Sequence, residues 1–277
     1  MAHLVNEPAR LLSNKQVGPR LYLMVLHAPL IASHVRPGQF VHLLVPSMEA
    51  HVLRRPFSIY ARDTAVGTVE ILYQTVGFGT RHMADLSCDG GAFELIGPVG
   101  NTWSLSDGDA LVEGGEVALR RVLLVGGGVG AAPLHLLAEE LVGRGDAVDL
   151  VLGAQTADAL VCRERYARLL GREPFCATDD GSYGRAGFCT SLVEERLAQG
   201  SSTDGGSYDC VCVCGPEPLM KIVADLAREA DVACEVSLER RMACGVGACL
   251  SCVVDTVDGK RRSCVDGPVF DARKVVW

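Results

Sequence analysis

The chain has 277 residues, 48% of them hydrophobic and 22% charged, enough for about two domains at roughly 150 residues each. Acidic residues outnumber basic ones 34 to 26, and the net charge of −8 excludes nucleic acid as the main partner, because a phosphate backbone demands a basic footprint. No uninterrupted apolar stretch is long enough to span a membrane, and the opening MAHLVNEPARLLSNKQ lacks the basic and apolar blocks of an export signal, so a cytoplasmic location is expected.

The first hundred residues carry short apolar or alternating runs, at 21–26, 40–45, 58–60 and 69–73, broken by Pro, Gly and Asp. That pattern predicts an antiparallel β-barrel or sandwich over 1–103. Residues 104–119, SLSDGDALVEGGEVAL, are acidic and Gly-rich and read as a linker. From 120 the pattern becomes strand–helix alternation, with strands at 122–125, 148–154, 175–178 and 208–214 and helices at 132–141, 190–198 and 218–230, which predicts a parallel α/β domain over 120–231. Residues 232–277 are too short and Cys-rich for a large core and are better suited to folding around a metal centre.

A reducing compartment makes the 12 cysteines a metal site plus packed thiols rather than six disulfides. Cys244, Cys249, Cys252 and Cys264 follow the pattern C-x4-C-x2-C-x11-C, the plant-type [2Fe-2S] spacing, with Gly245 and Gly247 allowing a tight loop whose amides turn toward sulfur. The competing reading is a structural zinc knuckle, which more often pairs two short C-x2-4-C units. Cys210, Cys212 and Cys214 alternate on one strand; the first two read as core thiols, while Cys214 precedes Gly215 and Pro216 at a strand end, where open α/β sheets bind ligands. His135, inside an apolar helix, reads as a core residue rather than a base.

Three further segments suit phosphate-bearing cofactors. Arg54–Tyr60, RRPFSIY, offers a guanidinium able to pair with a pyrophosphate and a Ser three residues later, against the alternative of a solvated edge strand. In ILYQTVGFGT, Gly77 and Gly79 can expose backbone N–H groups and Thr80 adds a hydroxyl, a plain hairpin turn being equally plausible in isolation. In VGGGVGAAPL, Gly126, Gly128 and Ala131 loosely fit the dinucleotide fingerprint between a strand and a helix, against the alternative of glycines that serve only strand–helix packing. No acid stands at the end of the second strand of this unit, Asp158 coming only later, so NAD and NADP are not distinguished.

In this order, RPFS, GFGT, GGGVGAAPL, CGPEPLM and the four-Cys tail resemble the ferredoxin-NADP reductase superfamily. Within it, ERRMACGVGACLSCV followed by CVDGPVF is similar to the electron-transfer subunits of NAD-dependent, class 1B dihydroorotate dehydrogenases. The resemblance also takes in GPVGNTW and TDDGSYGRAGFCT, and departs from the superfamily at Phe57, where Tyr is usual, and at Thr102 and Trp103. It implies FAD held by Arg55, Pro56, Phe57, Ser58, Leu72, Tyr73, Gln74, Gly79 and Thr80. It implies NAD docked against Gly127, Gly128, Cys214, Gly215 and Pro216, and a cluster ligated by the four tail cysteines. It further implies an FMN-containing catalytic subunit that oxidises dihydroorotate to orotate in pyrimidine biosynthesis, joined in a heterotetramer of two plus two. The nearest rival is an NAD(P)H oxidoreductase subunit serving a hydrogenase, sulfur reductase or ferredoxin, since the same modules serve those reactions. A rival of another class is a zinc-stabilised interaction module without flavin turnover.

Overall fold

A computed structural model describes residues 4–48, 53–88, 91–106, 112–113, 116–117 and 119–277. Its first half is a seven-stranded antiparallel sheet of β1 (Val5–Gly18), β2 (Leu21–His27), β3 (Phe40–Leu44), β4 (Arg55–Ser58), β5 (Ala61–Asp63), β6 (Thr68–Gln74) and β7 (Ala92–Val99). The strand order is β4-β3-β7-β1-β2-β6-β5. Because the two edge strands β4 and β5 are joined by only Ile59 and Tyr60, the sheet must curl until its edges nearly meet. The Tyr60 N–H bonds to the Glu70 carbonyl on β6, making the curl barrel-like. Two helices, α1 (Pro29–His34) and α2 (Phe78–Asp85), lie within this half.

Alternation along each strand fills the interior. On β3, Val41 and Leu43 join Met24, Ile71, Phe93 and Leu95 in the barrel core, while Phe40 and His42 face outward. The expected strand at 58–60 runs instead over 55–58, and besides the short β5 two longer strands lie outside the expected runs. In β1, Pro8 and the charges mask a core pattern of Glu7, Ala9 and Leu11; Glu7 is buried because its carboxylate accepts the Leu30 and Ile31 N–H groups of α1 at 3.0 and 2.8 Å. The second is β7, which takes in the first residues of GPVGNTW.

The segment 104–119 begins with a helical turn over Ser104–Ser106 and includes a hairpin of β8 (Val112–Glu113) and β9 (Glu116–Val117); most of the rest of this expected linker lies outside the described residues. The second sheet contains β10 (Arg121–Gly127), β11 (Ala147–Ala154), β12 (Phe175–Thr178), β13 (Arg185–Ala186), β14 (Cys210–Cys214) and β15 (Ala233–Ser237), all parallel, and ends in antiparallel β18 (Val269–Asp271). A small hairpin of β16 (Val253–Thr256) and β17 (Gly259–Arg262) precedes that last strand. The order β13-β12-β11-β10-β14-β15-β18 puts β10 and β14 side by side, which opens a crevice at their C-terminal ends.

Val122 and Leu124 face the layer of α3 (His135–Arg144) and α4 (Arg163–Leu170), while Leu123 and Val125 face α5 (Thr190–Gln199) and α6 (Glu217–Glu229). Helix α3 starts later than the expected 132, after a 3-10 turn over Gly128–Leu134 that contains Pro133. A division at 231/232 assigns β15 to the tail, but its backbone pairs with β14 and the chain returns through β18 to the same sheet.

The two halves share one core face, Tyr60, Leu72, Trp103 and Leu105 packing with Leu124, Leu137 and Leu150. His135 is indeed a core residue, its ring 5.1 Å from that of Tyr60 and 5.2 Å from that of Tyr166; burial lowers its pKa to about 3, so it is neutral. Asn101 joins the first half to the tail, its Nδ2 donating to the Asp266 and Val269 carbonyls and its Oδ1 accepting the Val269 N–H. Asn101→Ala is expected to destabilise this junction by about 1–3 kcal/mol, because partly buried backbone groups lose their partners. Faster amide exchange at 266–271 than in β10 would check this.

Candidate functional site

Four cysteines come together in the tail. The N–H groups of Val246 and Cys249 both point at the Cys244 sulfur at 3.4 Å, and the Cys252 and Cys264 sulfurs lie 3.3 Å apart. The loop is made by left-handed backbone at Gly245, Gly247 and Leu250 (φ 68°, 84° and 58°), which turns successive amides inward. Hydrogen bonds from Ser251 lower the Cys249 thiol to about 6, whereas burial pushes Cys264 up to about 12. The sulfurs thus form two pairs, 244 with 249 and 252 with 264, as two irons of a [2Fe-2S] cluster require. Among the described residues, the group of three or more metal-type ligand atoms within 4.8 Å of one another is Cys210, Cys212 and Glu235. Cys210 and Cys212 are buried in the sheet core, and Glu235 accepts the Ser104 N–H.

The cysteine loop rests on the outer face of the barrel, where Phe40 and Val99 pack with Cys252 and Cys264. Next to β3 lies β4, with Pro56 opposite His42 and Ser58 opposite Phe40. The Arg55 guanidinium lies over the first turn of α2, so close that a Cβ at Gly79 would stand 2.2 Å from its Nε. Guanidinium and helix N-terminus together make a cradle suited to a pyrophosphate. The Thr80 hydroxyl, expected to face a phosphate, instead accepts the Val76 and Gly77 N–H groups and caps its own turn. On β6 the side chains alternate: Tyr73 points into the barrel core, donating to Asn14 at 3.0 Å, while Leu72 faces the second half. Phe57 meets the Tyr73 ring edge-on at 6.0 Å.

Gln74 reaches the third element, a cavity of about 650 Å³ lined also by Gly127, Gly128, Gly153, Gln155, Asp179, Gly215, Pro216 and Glu239. The volume suits a nucleotide-sized ligand. Its floor depends on close backbone approach, since a Cβ at Gly130 would stand 2.6 Å from the Gly215 Cα. Cys214 is turned away, its buried thiol donating to the Ser237 carbonyl at 3.8 Å, so that turn contributes Gly215 and Pro216 alone. No acid stands at the end of the second strand, but one that lines the cavity stands at the end of the third. Asp179 follows β12, its N–H bonded to the Ala154 carbonyl that ends β11. The signal was DD after FCAT, readable only once β12 is known to lie beside β11.

A barrel-like sheet, a parallel sheet covered on both faces and a paired-cysteine loop between them and solvent define an iron–sulfur reductase of the ferredoxin-NADP reductase fold. Residues 124–225 match the family model of the oxidoreductase NAD-binding domain, and 239–276 that of the iron-sulfur cluster binding domain of dihydroorotate dehydrogenase B. The second match begins just after β15. An NADH-dependent reduced ferredoxin-NADP oxidoreductase known for flavin-based electron bifurcation superposes with a TM-score of 0.81 at 26% identity, covering 97% of this chain and 90% of its own. The cytochrome b5 reductase domain of Ulva prolifera nitrate reductase shares the fold, with a TM-score of 0.61 at 14% identity over 82% and 94% of the two chains. The dihydroorotate dehydrogenase B (NAD(+)) electron transfer subunit of Geobacillus thermodenitrificans is 37% identical over 273 residues, 98% of each chain. That of Desulforamulus reducens is 36% identical over 273 residues, 97% of each. The chain belongs to the family of dihydroorotate dehydrogenase B electron transfer subunits.

Proposed function

We propose that this chain passes electrons between a catalytic subunit that oxidises dihydroorotate and NAD+, through a [2Fe-2S] cluster and FAD. The observation that carries this is the spatial order of the three elements: Gln74 of β6 borders the nucleotide cavity, Pro56 of the RPFS strand lies opposite His42, and His42 abuts the cysteine loop at Gly245. A flavin site thus stands between a nucleotide site and a cluster. FAD, when bound, exchanges electrons in pairs with a nicotinamide and singly with a cluster.

In this reading residues 1–103 hold FAD, 120–231 hold NAD and 232–277 hold the cluster, with β15 and β18 fixing the cluster unit to the nucleotide sheet. Arg55 and the first turn of α2 anchor the pyrophosphate, Ser58 and the β6 backbone orient the ring, and Cys244, Cys249, Cys252 and Cys264 ligate iron. Gly127, Gly128, Gly215 and Pro216 let a dinucleotide approach the backbone. The exposed Val246, Leu250 and Val265 around the cysteine loop form an apolar rim for the FMN-containing catalytic subunit, in a heterotetramer of two plus two. Among the described residues no helix is long and apolar enough to cross a membrane; we place the complex in the cytoplasm.

Co-expression with an FMN-containing dihydroorotate dehydrogenase subunit is expected to give a complex that reduces NAD+ with dihydroorotate, an activity neither chain has alone. The similarity to a ferredoxin-linked oxidoreductase favours one second reading, in which a ferredoxin is the partner. NADH-driven ferredoxin reduction without any stable complex would support it.

Asp179 explains the choice of nucleotide. At the end of β12 its carboxylate is suited to accept from a ribose 2′-hydroxyl, and it repels a 2′-phosphate. Asp179→Ser is expected to weaken NADH binding roughly tenfold or more, the loss of one charge-assisted hydrogen bond, and to narrow the preference over NADPH. Steady-state KM for both nucleotides, measured with a dye acceptor, checks this.

A further inference from the structure

His42 is a polar side chain in a place where packing alone would favour an apolar one. It is fully buried on the outward face of β3, two residues beyond Phe40, which packs against Cys252 and Cys264. Among the described residues neither of its ring nitrogens has a hydrogen bond of good geometry. The Cys244 and Arg54 backbones come within weak hydrogen-bonding reach of the ring, and the Arg54 charge also acts on it. The cysteine loop is shaped to admit it, since Gly245 has φ 68° and a Cβ there would stand 2.5 Å from the His42 Nδ1. The two outward side chains of β3 thus reach both halves of the cysteine set, Phe40 touching the 252/264 pair and His42 the loop that carries Cys244. A buried donor left without a partner is strongly unfavourable. The polar atoms that a filled site adds here are the sulfurs of the cluster and of its ligands.

We propose that His42 is a positioning residue of the electron-transfer path, its ring N–H hydrogen-bonded to cluster sulfur at the Cys244 end, so that the strand beside the flavin motif both seats the cluster and sets its potential. This rests on the assignment of the four cysteines to a [2Fe-2S] centre. Hydrogen bonds to the sulfurs favour the reduced, more negative cluster and raise its potential. His42→Phe keeps a ring in this place and removes the donor. It is expected to disfavour reduction roughly tenfold, a fall of about 59 mV for a one-electron couple.

The test uses the full-length, iron-replete chain with FAD bound, labelled with 15N-histidine. Pulsed EPR of the reduced cluster is expected to show a 15N coupling that disappears in His42→Phe, with the potential lowered in that variant and partly restored in His42→Gln, whose amide still donates. If His42→Phe loses its iron, labelled His42→Gln gives the same assignment, because the amide carries no labelled nitrogen. A wild-type cluster with a normal [2Fe-2S] spectrum but no histidine coupling overturns the proposal while leaving the cluster assignment intact. Equal potential shifts in the Phe and Gln variants would reduce His42 to a packing role. Absence of any [2Fe-2S] signal in wild type, with two irons not found per chain, would overturn the cluster assignment and this proposal with it.

Discussion

Cys249→Ser is expected to leave a folded, yellow protein that retains FAD and lacks the [2Fe-2S] cluster, its iron falling from about two per chain toward zero. Cys249 is the exposed member of the four proposed ligands, and hydrogen bonds from Ser251 lower its thiol to about 6, so it offers iron an accessible thiolate. The segments proposed to hold FAD, 55–58, 72–74 and 79–80, belong to the curled sheet and α2, whose core of Met24, Ile71, Tyr73 and Phe93 contains no tail residue. Removing iron therefore should not empty the flavin site. Electron flow from dihydroorotate to NAD+ in the complex should fall at least a hundredfold, while NADH still reduces FAD and an artificial dye in the chain alone. Iron, flavin and dye-reductase assays on one sample separate these effects. Loss of both cofactors from a folded chain would contradict the separation of the two sites.

What the sequence made legible follows from how local each signal is. The cysteine set was readable because its ligands fall in one stretch of 21 residues whose spacing matches a cluster loop. The strand 175–178 and the helix starting at Thr190 were readable because buried parallel strands and amphipathic helices are periodic without help from distant residues. In β1 the pattern failed because a core position is filled by Glu7, whose burial depends on two N–H groups of α1 more than twenty residues away. β15 was assigned to the tail because its CEV reads as cysteine-rich, and only its pairing with β14 shows it to be sheet.

The same rule governs the sites. The Gly-rich turn after β10 was visible, but Asp179, which shares its cavity, needed the sheet order. His42 could not be singled out from the sequence, since a histidine in a strand carries no signal of its own. It becomes informative when β3 is found to lie between the RPFS strand and the cysteine loop. Thr80 shows the opposite error: a hydroxyl beside glycines reads as a phosphate ligand, but in the fold its own turn takes it first.

Arg55→Ala is expected to weaken FAD binding by roughly ten- to a hundredfold or more, the removal of a charge-assisted pair worth about 1.5–3 kcal/mol. In the protein the Arg55 Nη1 donates to the Leu53 carbonyl at 3.1 Å, and the guanidinium lies flat against Gly79. It is thus already ordered for a pyrophosphate, and little rotamer freedom is lost on binding. Arg55→Lys should recover only part of the affinity, because an ammonium cannot make the paired, planar contact. Gly79→Ala should cost as much as Arg55→Ala with the charge still present, since the added Cβ displaces the guanidinium from the helix N-terminus. Flavin titration of the apoprotein, followed by quenching of FAD fluorescence, measures all three. Weakening in Arg55→Ala with full affinity in Gly79→Ala would mean that the charge acts from another position. Unchanged affinity in both would remove the pyrophosphate from this cradle.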